Sequence, residues 1–421
     1  MIRSFRTTIF VIGMVWVAAA GLGPAVANER WVGTWSTALQ APNTIVFGTN
    51  QGFSNQTLRQ IVHTSVGGDR VRVRLSTFGS GRLLVGAARI ALRDAGAAIV
   101  SGTDRMLTFG GHPTVVIPPG AVVLSDPVDL DVPPLGDLAI SLFVPESTGP
   151  ATWHFEAQQT SYVSPAGDFT ASIDMPFVST TRFVAPNGTE HYAWFWLAGV
   201  EVTTSQQTGA VAILGDSVTD GTRSTLDANS RWPDHLASRF SAVEGNHKMA
   251  VLNLGIAGNK LLNDIIGPNA LARYDRDVLA QSGITHVITL LGNNDILFVF
   301  SPADLVTVDQ IIAGHRQLIR RAHARGLKIY GGTLTPFGGF PLSSADKENR
   351  RAAVNHWIRT SGEYDAVIDF DAAVRDPKNP TAMQSDFASD DHLHPNDAGY
   401  KAMADAIDVE LFASRNWRRL R

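Results

Sequence analysis

Apolar and polar residues alternate with a period of two in short runs along the first half of the chain. Val71-Arg72-Val73-Arg74-Leu75 is the clearest run, and similar runs lie around Thr114 to Ile117 and Leu138 to Val144. Alternation of this kind is typical of strands with one buried face. Glycine and proline interrupt the runs at short intervals, and no long helical period intervenes. The pattern predicts an all-β sandwich or jelly-roll domain over residues 28–204.

The pattern changes at Ala210, where short apolar runs begin to alternate with segments of helical period. The apolar runs are Ala210 to Leu214, Met249 to Leu254, His286 to Leu291, Lys328 to Gly332 and Ala366 to Phe370. Continuously apolar strands are buried on both faces, as in parallel sheets covered by helices. The predicted helices are Trp232 to Ser241, Asp304 to Arg325, Ser344 to Thr360 and Asp397 to Leu411. Residues 205–421 are therefore predicted to form a doubly wound, mostly parallel α/β domain.

The first 27 residues have the pattern of a signal peptide. Arg3 and Arg6 precede the apolar stretch Ile9 to Leu22, and Ala25-Val26-Ala27 offers small residues at a cleavage site. The alternative is an uncleaved membrane anchor, but the apolar stretch is shorter than a typical spanning helix. We therefore expect cleavage after Ala27 and a secreted or periplasmic protein, without stable membrane insertion after that cleavage.

The composition narrows the chemistry that the chain can perform. Its 421 residues carry a formal net charge of −4 and include no cysteine. Without cysteine there is no disulfide framework, no thiolate metal site and no cysteine nucleophile. The 35 basic and 39 acidic residues supply no positive field for a nucleic acid, so we expect no nucleic-acid partner.

Four loops that follow predicted strands or precede the last predicted helix carry the candidate chemistry. They are Gly215-Asp216-Ser217-Val218-Thr219-Asp220-Gly221, Asn253-Leu254-Gly255-Ile256-Ala257-Gly258-Asn259, Leu291-Gly292-Asn293-Asn294-Asp295 and Asp390-Asp391-His392-Leu393-His394-Pro395. In an open parallel sheet, ligands bind at the carboxyl ends of the strands. Each loop alone has an ordinary explanation: a helix N-cap serine, a glycine turn, turn asparagines, and a surface loop or metal site. Together they offer a hydroxyl, hydrogen-bond donors, a base and a carboxylate to orient it.

In this order and in these kinds of loop, the four blocks resemble those of the SGNH or GDSL hydrolase superfamily, over roughly Ala210 to Leu411. The resemblance implies a flavodoxin-like α/β fold and the hydrolysis of esters by a serine nucleophile. Ser217 would be that nucleophile. The Asp-x-x-His-Pro spacing would make Asp391 and His394 the other catalytic residues.

The same resemblance assigns an oxyanion hole. The backbone N–H groups of Ser217 and Gly258 and the side-chain amide of Asn294 would form it. Asp390 and His392 would be neighbours of the catalytic residues rather than members of the group. Asn293 stands where Thr or a small residue is more usual in the family, which affects only the finer shape of the site.

The implied chemistry needs neither a cofactor nor a metal. His394 would accept the proton of Ser217, an acyl-enzyme would form, and water would release the acid. We expect a small-molecule or polysaccharide ester as substrate, with a carbohydrate or short-chain acyl (acetyl) ester foremost. A lysophospholipase or arylesterase type of lipid hydrolase, and a non-catalytic polysaccharide-binding protein, remain alternatives.

Several residues outside the blocks have simpler interpretations. Charged residues after the nucleophile are expected to pair with one another or with water: Asp220, Arg223, Asp227 and Arg231. His315 and His323 lie on a predicted helix and are expected to be solvated. Four phenylalanines in loops after strands are predicted to wall an apolar pocket: Phe298, Phe300, Phe337 and Phe340.

Overall fold

The computed structural model describes residues 29–44, 48–50, 52–185, 188–204, 208–243 and 248–413. The predicted signal peptide, residues 1–27, lies outside the described residues. Antiparallel sheets give way to a parallel sheet between Thr203 and Gly209. We call residues 29–204 the β region and residues 208–413 the α/β region.

The β region consists of short antiparallel strands. Among its described residues these are β1 (Trp31–Ser36), β2 (Asn43–Thr44), β3 (Gly48–Thr49), β4 (Gln56–His63), β5 (Gly68–Ser76), β6 (Leu83–Val85), β7 (Ala87–Leu92), β8 (Arg105–Met106), β9 (Val115–Ile117), β10 (Val122–Leu124), β11 (Val128–Val132), β12 (Asp137–Val144), β13 (Trp153–His154), β14 (Tyr162–Ala166), β15 (Ser179–Thr180), β16 (Arg182–Val184), β17 (Glu190–Tyr192), β18 (Trp194–Phe195) and β19 (Leu197–Thr203). One large sheet has the order β1-β19-β5-β10, with β11 also paired to β5, and the other has the order β15-β14-β4-β12-β7-β8. The predicted antiparallel β architecture is confirmed.

The two large sheets share one hydrophobic core. Val71, Val73 and Leu75 of β5 belong to the same buried cluster as Leu58 of β4 and Leu142 of β12. Residues two apart in a strand point to the same face, so the period-two alternation places these side chains inward. The same cluster continues into the α/β region, so the core is shared by both halves of the chain.

The α/β region is built on a five-stranded parallel sheet. Its strands are β20 (Gly209–Gly215), β21 (Met249–Gly255), β22 (Ile284–Leu290), β23 (Lys328–Gly332) and β24 (Ala366–Ile368). They are arranged in the order β21-β20-β22-β23-β24 with parallel pairing throughout. Counted from β20, this is the 2-1-3-4-5 order of flavodoxin-like folds. The predicted doubly wound sheet is confirmed.

Helices connect these strands. Within the described residues they are α1 (Ser217–Asp220), α2 (Trp232–Ala242), α3 (Ala270–Tyr274), α4 (Asn293–Leu297), α5 (Val308–His323), α6 (Ala345–Thr360), α7 (Phe370–Val374) and α8 (Asp397–Asp405), with a π-helical turn at Asp275–Leu279 and 3₁₀ turns at Pro302–Asp304 and Val409–Phe412. Helix α5 begins later than predicted because Thr307 caps it, its hydroxyl accepting a hydrogen bond from the N–H of Gln310. None of the described helices is both long and apolar enough to cross a membrane.

The solvated position expected for His315 is wrong. Its side chain is buried on α5, and its Nδ1 lies 2.7 Å from the Tyr364 hydroxyl. Burial lowers the pKa of His315 to about 4, so the ring is neutral at pH 7. The exposed His323 lies at the end of the same helix, where its Nε2 is 2.8 Å from the carboxylate of Asp365.

Direct hydrogen bonds join the β region to the α/β region. The carboxylate of Asp227 accepts bonds from the side chain of Gln159 at 2.7 Å and the backbone N–H of Thr160 at 2.6 Å. Elsewhere the Ser65 hydroxyl accepts a bond from the N–H of Val251 at 3.0 Å. These contacts fix the β region against strand β21, at the edge of the parallel sheet, and against the loop between α1 and α2.

Candidate active site

Ser217, His394 and Asp391 form a hydrogen-bonded chain at the carboxyl end of the parallel sheet. Ser217 is the first residue of α1, directly after β20, and the side chain of Asp216 caps that turn by accepting a bond from the N–H of Val218. The Ser217 hydroxyl lies 2.8 Å from His394 Nε2, and His394 Nδ1 lies 2.6 Å from an Asp391 carboxylate oxygen. A hydroxyl, an imidazole and a carboxylate in this order can move the hydroxyl proton to the ring.

The Asp391 carboxylate is fixed by its own loop. Its second oxygen accepts hydrogen bonds from the backbone N–H groups of Leu393 and His394, both at 2.9 Å, and from the Ser389 hydroxyl at 2.8 Å. Burial opposes the charge, but the bonds from His394 and Leu393 outweigh burial and hold the pKa of Asp391 well below its usual range. Asp391 is therefore ionised at neutral pH and can hold the imidazole in one orientation.

Asp390 and His392 lie outside this chain. Asp390 is exposed and faces the guanidinium of Arg223 at 3.5 Å, while the ring of His392 points to solvent. Arg223 also reaches the Asp391 carboxylate, at 3.3 Å. The structure thus brings together the two residues that the spacing selects and leaves their acidic and basic neighbours at the rim.

The candidate oxyanion donors lie on neighbouring loops. The N–H of Ile256 donates to the carbonyl of Gly215 at 3.2 Å, which holds the loop of Gly258 against the Ser217 turn. Gly258 has a φ of +74°, in the left-handed region that favours glycine, and a Cβ there would also displace the end of the Ile266 side chain, 2.4 Å away. Among the described residues, no acceptor pairs with the N–H groups of Ser217 and Gly258.

Asn294 reaches the same loop from the start of α4. Its side-chain amide donates one hydrogen bond to the carbonyl of Asn259, at 2.9 Å. A primary amide carries two hydrogens, so one remains for a ligand. The adjacent Asn293 is occupied elsewhere, because its amide donates to the carbonyl of Thr335 at 3.2 Å.

Comparison with known families agrees with this arrangement. Residues 213–402 match the model of the GDSL-like Lipase/Acylhydrolase family. This segment belongs to that family. The match begins in β20 and ends in α8, so it includes each of the four blocks and most of the parallel sheet. A search of curated proteins finds no match.

Several solved structures are similar to this chain over about half of its length. A G-D-S-L family protein of Desulfitobacterium hafniense is 20% identical, with 47% of this chain and 96% of that chain covered and a TM-score of 0.37. A GDSL-like lipase of Bacteroides thetaiotaomicron is 18% identical, with 47% and 84% covered and a TM-score of 0.36. An acetylxylan esterase of Geobacillus stearothermophilus is 21% identical, with 48% and 94% covered and a TM-score of 0.37.

Side chains of the α/β region anchor the loop of residues 256–262, which we call the Gly258 loop. Its far end is held by Asp295, whose carboxylate accepts bonds from the N–H groups of Leu261 at 2.7 Å and Leu262 at 3.0 Å. Burial raises the pKa of Asp295 to about 6. The buried Arg273 donates to the Asn259 side chain at 2.9 Å and to the carbonyl of Gly215 at 2.9 Å. The loop is therefore shaped before any ligand arrives.

The near end of the Gly258 loop is held by Asp220, which was expected to pair with neighbouring charged residues or with water, and whose partner in the β region had no predicted role. Asp220 accepts a bond from the N–H of Ala257 at 2.8 Å, and its other oxygen lies 2.9 Å from Nε2 of His154, which belongs to the β region. Glu156, two residues further along, is also buried, and burial together with the charge of Asp220 raises the pKa of Glu156 to about 7. The β region thus places two titratable side chains, His154 and Glu156, beside the α/β region.

Only part of the predicted phenylalanine wall of the pocket is exposed to solvent. Phe298 packs against Phe300 and Phe340, with ring centroids 6.1 and 6.0 Å apart, and Phe300 is 69% exposed. Phe337 is fully buried beneath the surface, so it cannot line a pocket as predicted. Its neighbour there is the guanidinium of Arg351, 5.9 Å from the ring.

The acidic and basic residues of the site do not converge as metal ligands do. Among the described residues, no three histidine, aspartate or glutamate side chains form a group that could hold a metal ion. His394 and Asp391 are bonded to each other and to Ser217 instead. A hydroxyl, an imidazole and a carboxylate bonded in this order are the groups that acyl transfer by a serine uses.

Proposed function

We propose that this protein is an exported esterase that hydrolyses carboxylic esters through an acyl-enzyme on Ser217. Membership of the α/β region in an acylhydrolase family gives the reaction class. The observation that carries the serine mechanism is the chain from the Ser217 hydroxyl through His394 to Asp391, with contacts of 2.8 and 2.6 Å.

The geometry supports a two-step reaction. His394 takes the proton of Ser217 as the oxygen attacks the ester carbonyl, and Asp391 stabilises the imidazolium that forms. The N–H groups of Ser217 and Gly258 and the amide of Asn294 receive the negative oxygen of the tetrahedral intermediate. A donor of this kind is worth about 3 kcal/mol in the barrier. His394 then protonates the leaving alcohol and later activates the water that releases the acid.

The surroundings of the triad favour a polar ester of a small acid, such as an acetylated carbohydrate. Asp390, His392 and Arg223 form a charged and polar rim beside His394. Such a rim can hydrogen-bond a sugar but offers little to a long acyl chain. An aryl or longer acyl ester is the second candidate. It is favoured by the exposed ring of Phe300, which packs against Phe298.

The place of action is also part of this proposal. The arginines, apolar stretch and small residues of positions 1–27 support export and cleavage after Ala27. The change from antiparallel to parallel sheets supports a division near residue 204, with an all-β domain before and a catalytic domain after it.

The test is hydrolysis of p-nitrophenyl esters from acetate to octanoate by the mature protein and by Ser217→Ala. We expect turnover only by the native protein, greatest with acetate, and a covalent phosphoryl adduct at Ser217 after an organophosphate has lost its leaving group to the serine oxygen. Equal activity of Ser217→Ala would contradict the serine mechanism. A native protein that hydrolyses none of these esters, nor acetylated glycans, would favour a polysaccharide-binding function.

A further inference from the structure

His154 is a buried histidine of the β region with a hydrogen-bond partner at each ring nitrogen. Its Nδ1 lies 2.9 Å from the carbonyl oxygen of Ala38, and its Nε2 lies 2.9 Å from a carboxylate oxygen of Asp220. A carbonyl oxygen can only accept a hydrogen bond, and so can a carboxylate that carries its usual negative charge. The geometry therefore fits an imidazolium with hydrogens on both ring nitrogens and Asp220 as its counterion.

The surroundings of this pair fit two charges. The side chains of His154 and Asp220 are 1% and 4% exposed. Burial opposes protonation, but the charge and hydrogen bond of Asp220 outweigh burial and raise the pKa of His154 above its usual value. A buried ion pair persists when its remaining hydrogen-bonding atoms are also satisfied, and here the Ala38 carbonyl and the Ala257 N–H satisfy them.

The pair connects the β region to the Gly258 loop. Asp220 uses one oxygen for His154 and the other for the N–H of Ala257, at 2.8 Å. Ala257 is the residue directly before Gly258, so a shift of Asp220 would move the peptide that precedes the Gly258 N–H. The far end of the loop is held within its own domain by Asp295. The near end is the one whose anchor depends on another region.

We propose that His154 is a positioning residue for the oxyanion hole. It holds Asp220, Asp220 holds Ala257, and the N–H of Gly258 thereby stays where the tetrahedral oxygen forms. The inference rests on the proposed function, because it takes Gly258 as an oxyanion donor. It gives the β region a part in catalysis that does not require this region to touch the substrate.

The first experiment compares His154→Gln with Asp227→Asn in the p-nitrophenyl acetate assay. His154→Gln can donate only toward one partner, and we expect its kcat to fall about 10- to 100-fold with little change in KM, since an oxyanion donor is misplaced. Asp227→Asn weakens a different contact between the two regions, to Gln159 and Thr160, and should stay within about twofold of the native kcat. A folded His154→Gln protein with native kcat would overturn the proposal.

A double variant tests whether the two residues act through one route. If His154 works through Asp220, then His154→Gln combined with Asp220→Asn should be about as slow as Asp220→Asn alone. Rate losses that multiply would show independent effects and would also overturn the proposal. Thermal melts of every variant separate a loss of rate from a loss of folded protein.

A third measurement uses the native protein and does not depend on activity. In ¹⁵N NMR spectra of histidine-labelled protein at neutral pH, we expect signals of a ring with both nitrogens protonated that are absent from the spectrum of His154→Gln. If the signals absent from His154→Gln are those of a neutral ring, the ion pair is overturned, whatever the kinetics of the variants. Failure of the esterase proposal is seen separately, as hydrolysis that survives Ser217→Ala.

Discussion

The buried charged side chains of the β region and those of the α/β region hold different kinds of loop in place. In the β region the buried Arg59 donates hydrogen bonds to the carbonyls of Ala97 at 2.7 Å and Ser172 at 2.7 Å, which fasten loops over the outer face of a sheet. In the α/β region the buried Asp220 and Asp295 instead accept bonds from backbone N–H groups of the Gly258 loop.

The difference separates stability from catalysis. A buried charge costs free energy unless its partners compensate for it, and in each region the partners are loops that would otherwise lack a fixed shape. Around Arg59 the fixed loops only cover a sheet, whereas around Asp220 and Asp295 the fixed loop carries a candidate oxyanion donor. Substitutions at buried charges should therefore change stability in the β region and reaction rate in the α/β region, with His154 as the exception.

The largest expected effect is at Asp391. Asp391→Asn should lower kcat about 10⁴-fold, because an amide cannot hold His394 in the tautomer that accepts the Ser217 proton. Steady-state hydrolysis of p-nitrophenyl acetate measures this. Asp390→Asn is the matched control, since Asp390 also faces Arg223, and it should stay within about threefold of the native kcat. A larger loss at Asp390 than at Asp391 would contradict the assignment.

Asn294→Ala should have the next largest effect. Removing its amide should reduce kcat about 10²- to 10³-fold, and it should also lower stability by about 1–3 kcal/mol because the Asn259 carbonyl loses its donor. Asn293→Ala should lose a similar amount of stability, because the Asn293 amide bonds to Thr335 within the protein, but its kcat should be nearly unchanged. Kinetics and urea unfolding of both variants check this, and identical behaviour of the two would count against Asn294 as an oxyanion donor.

Arg59→Met should lower stability without changing the rate. The substitution leaves the carbonyls of Ala97 and Ser172 without their donor, and the free energy of unfolding should fall by about 3 kcal/mol. The kcat of the folded protein should be unchanged. Arg82→Met is the control, since Arg82 pairs with Glu146 at the surface and should cost less than about 1 kcal/mol. A tenfold loss of kcat in folded Arg59→Met would break the contrast between the regions.

Glu156 should make stability depend on pH. Burial and the charge of Asp220 raise its pKa from 4.5 to about 7, so the folded protein keeps a proton that the unfolded chain releases. Stability contributed by this proton is full below about pH 4.5 and is lost as pH rises to about 7. In Glu156→Gln, the loss of unfolding free energy between about pH 5 and about pH 8 should be smaller than in the native protein, by on the order of 2 kcal/mol.

Urea unfolding at both pH values measures the difference. Glu146→Gln, at an exposed position, should leave the pH dependence of the native protein unaltered. If Glu156→Gln loses as much stability between the two pH values as the native protein, then the raised pKa of Glu156 is wrong. His154 would then be the one β-region side chain described above whose charge depends on Asp220.

Much of the fold can be predicted from the sequence because its signals are local. The apolar run Ala210 to Leu214 lies inside β20, and the run Met249 to Leu254 lies inside β21, since strands buried on both faces need apolar side chains at every position. The candidate catalytic residues are equally visible in the sequence. Ser217 follows β20 directly, and Asp391 and His394 are three positions apart, so short motifs contain them.

The residues that were missed are those whose role depends on distant partners. His154 follows a tryptophan in a two-residue strand and resembles any strand histidine, and its partner Asp220 lies 66 positions later in the other region. His315 was misjudged for the same reason, because only the tertiary fold brings Tyr364 to it across 49 positions. Phe337 follows β23, and only the packing of the finished fold reveals that its ring turns inward.

The pairing of the first and last strands of the β region has a consequence for the order in which the protein assembles. Strand β1 pairs with β19, and the Ser36 hydroxyl bonds to the carbonyl of Ala198, 162 positions away. Bringing the ends of so long a loop together costs chain entropy and is therefore slow. We expect this pairing to limit the folding rate more than formation of the parallel sheet does. Every strand of the two large β sheets precedes Ser217 in the chain. During synthesis the β region can therefore fold first. The turn that contains Asp220 can then pack against the surface of the β region that carries His154.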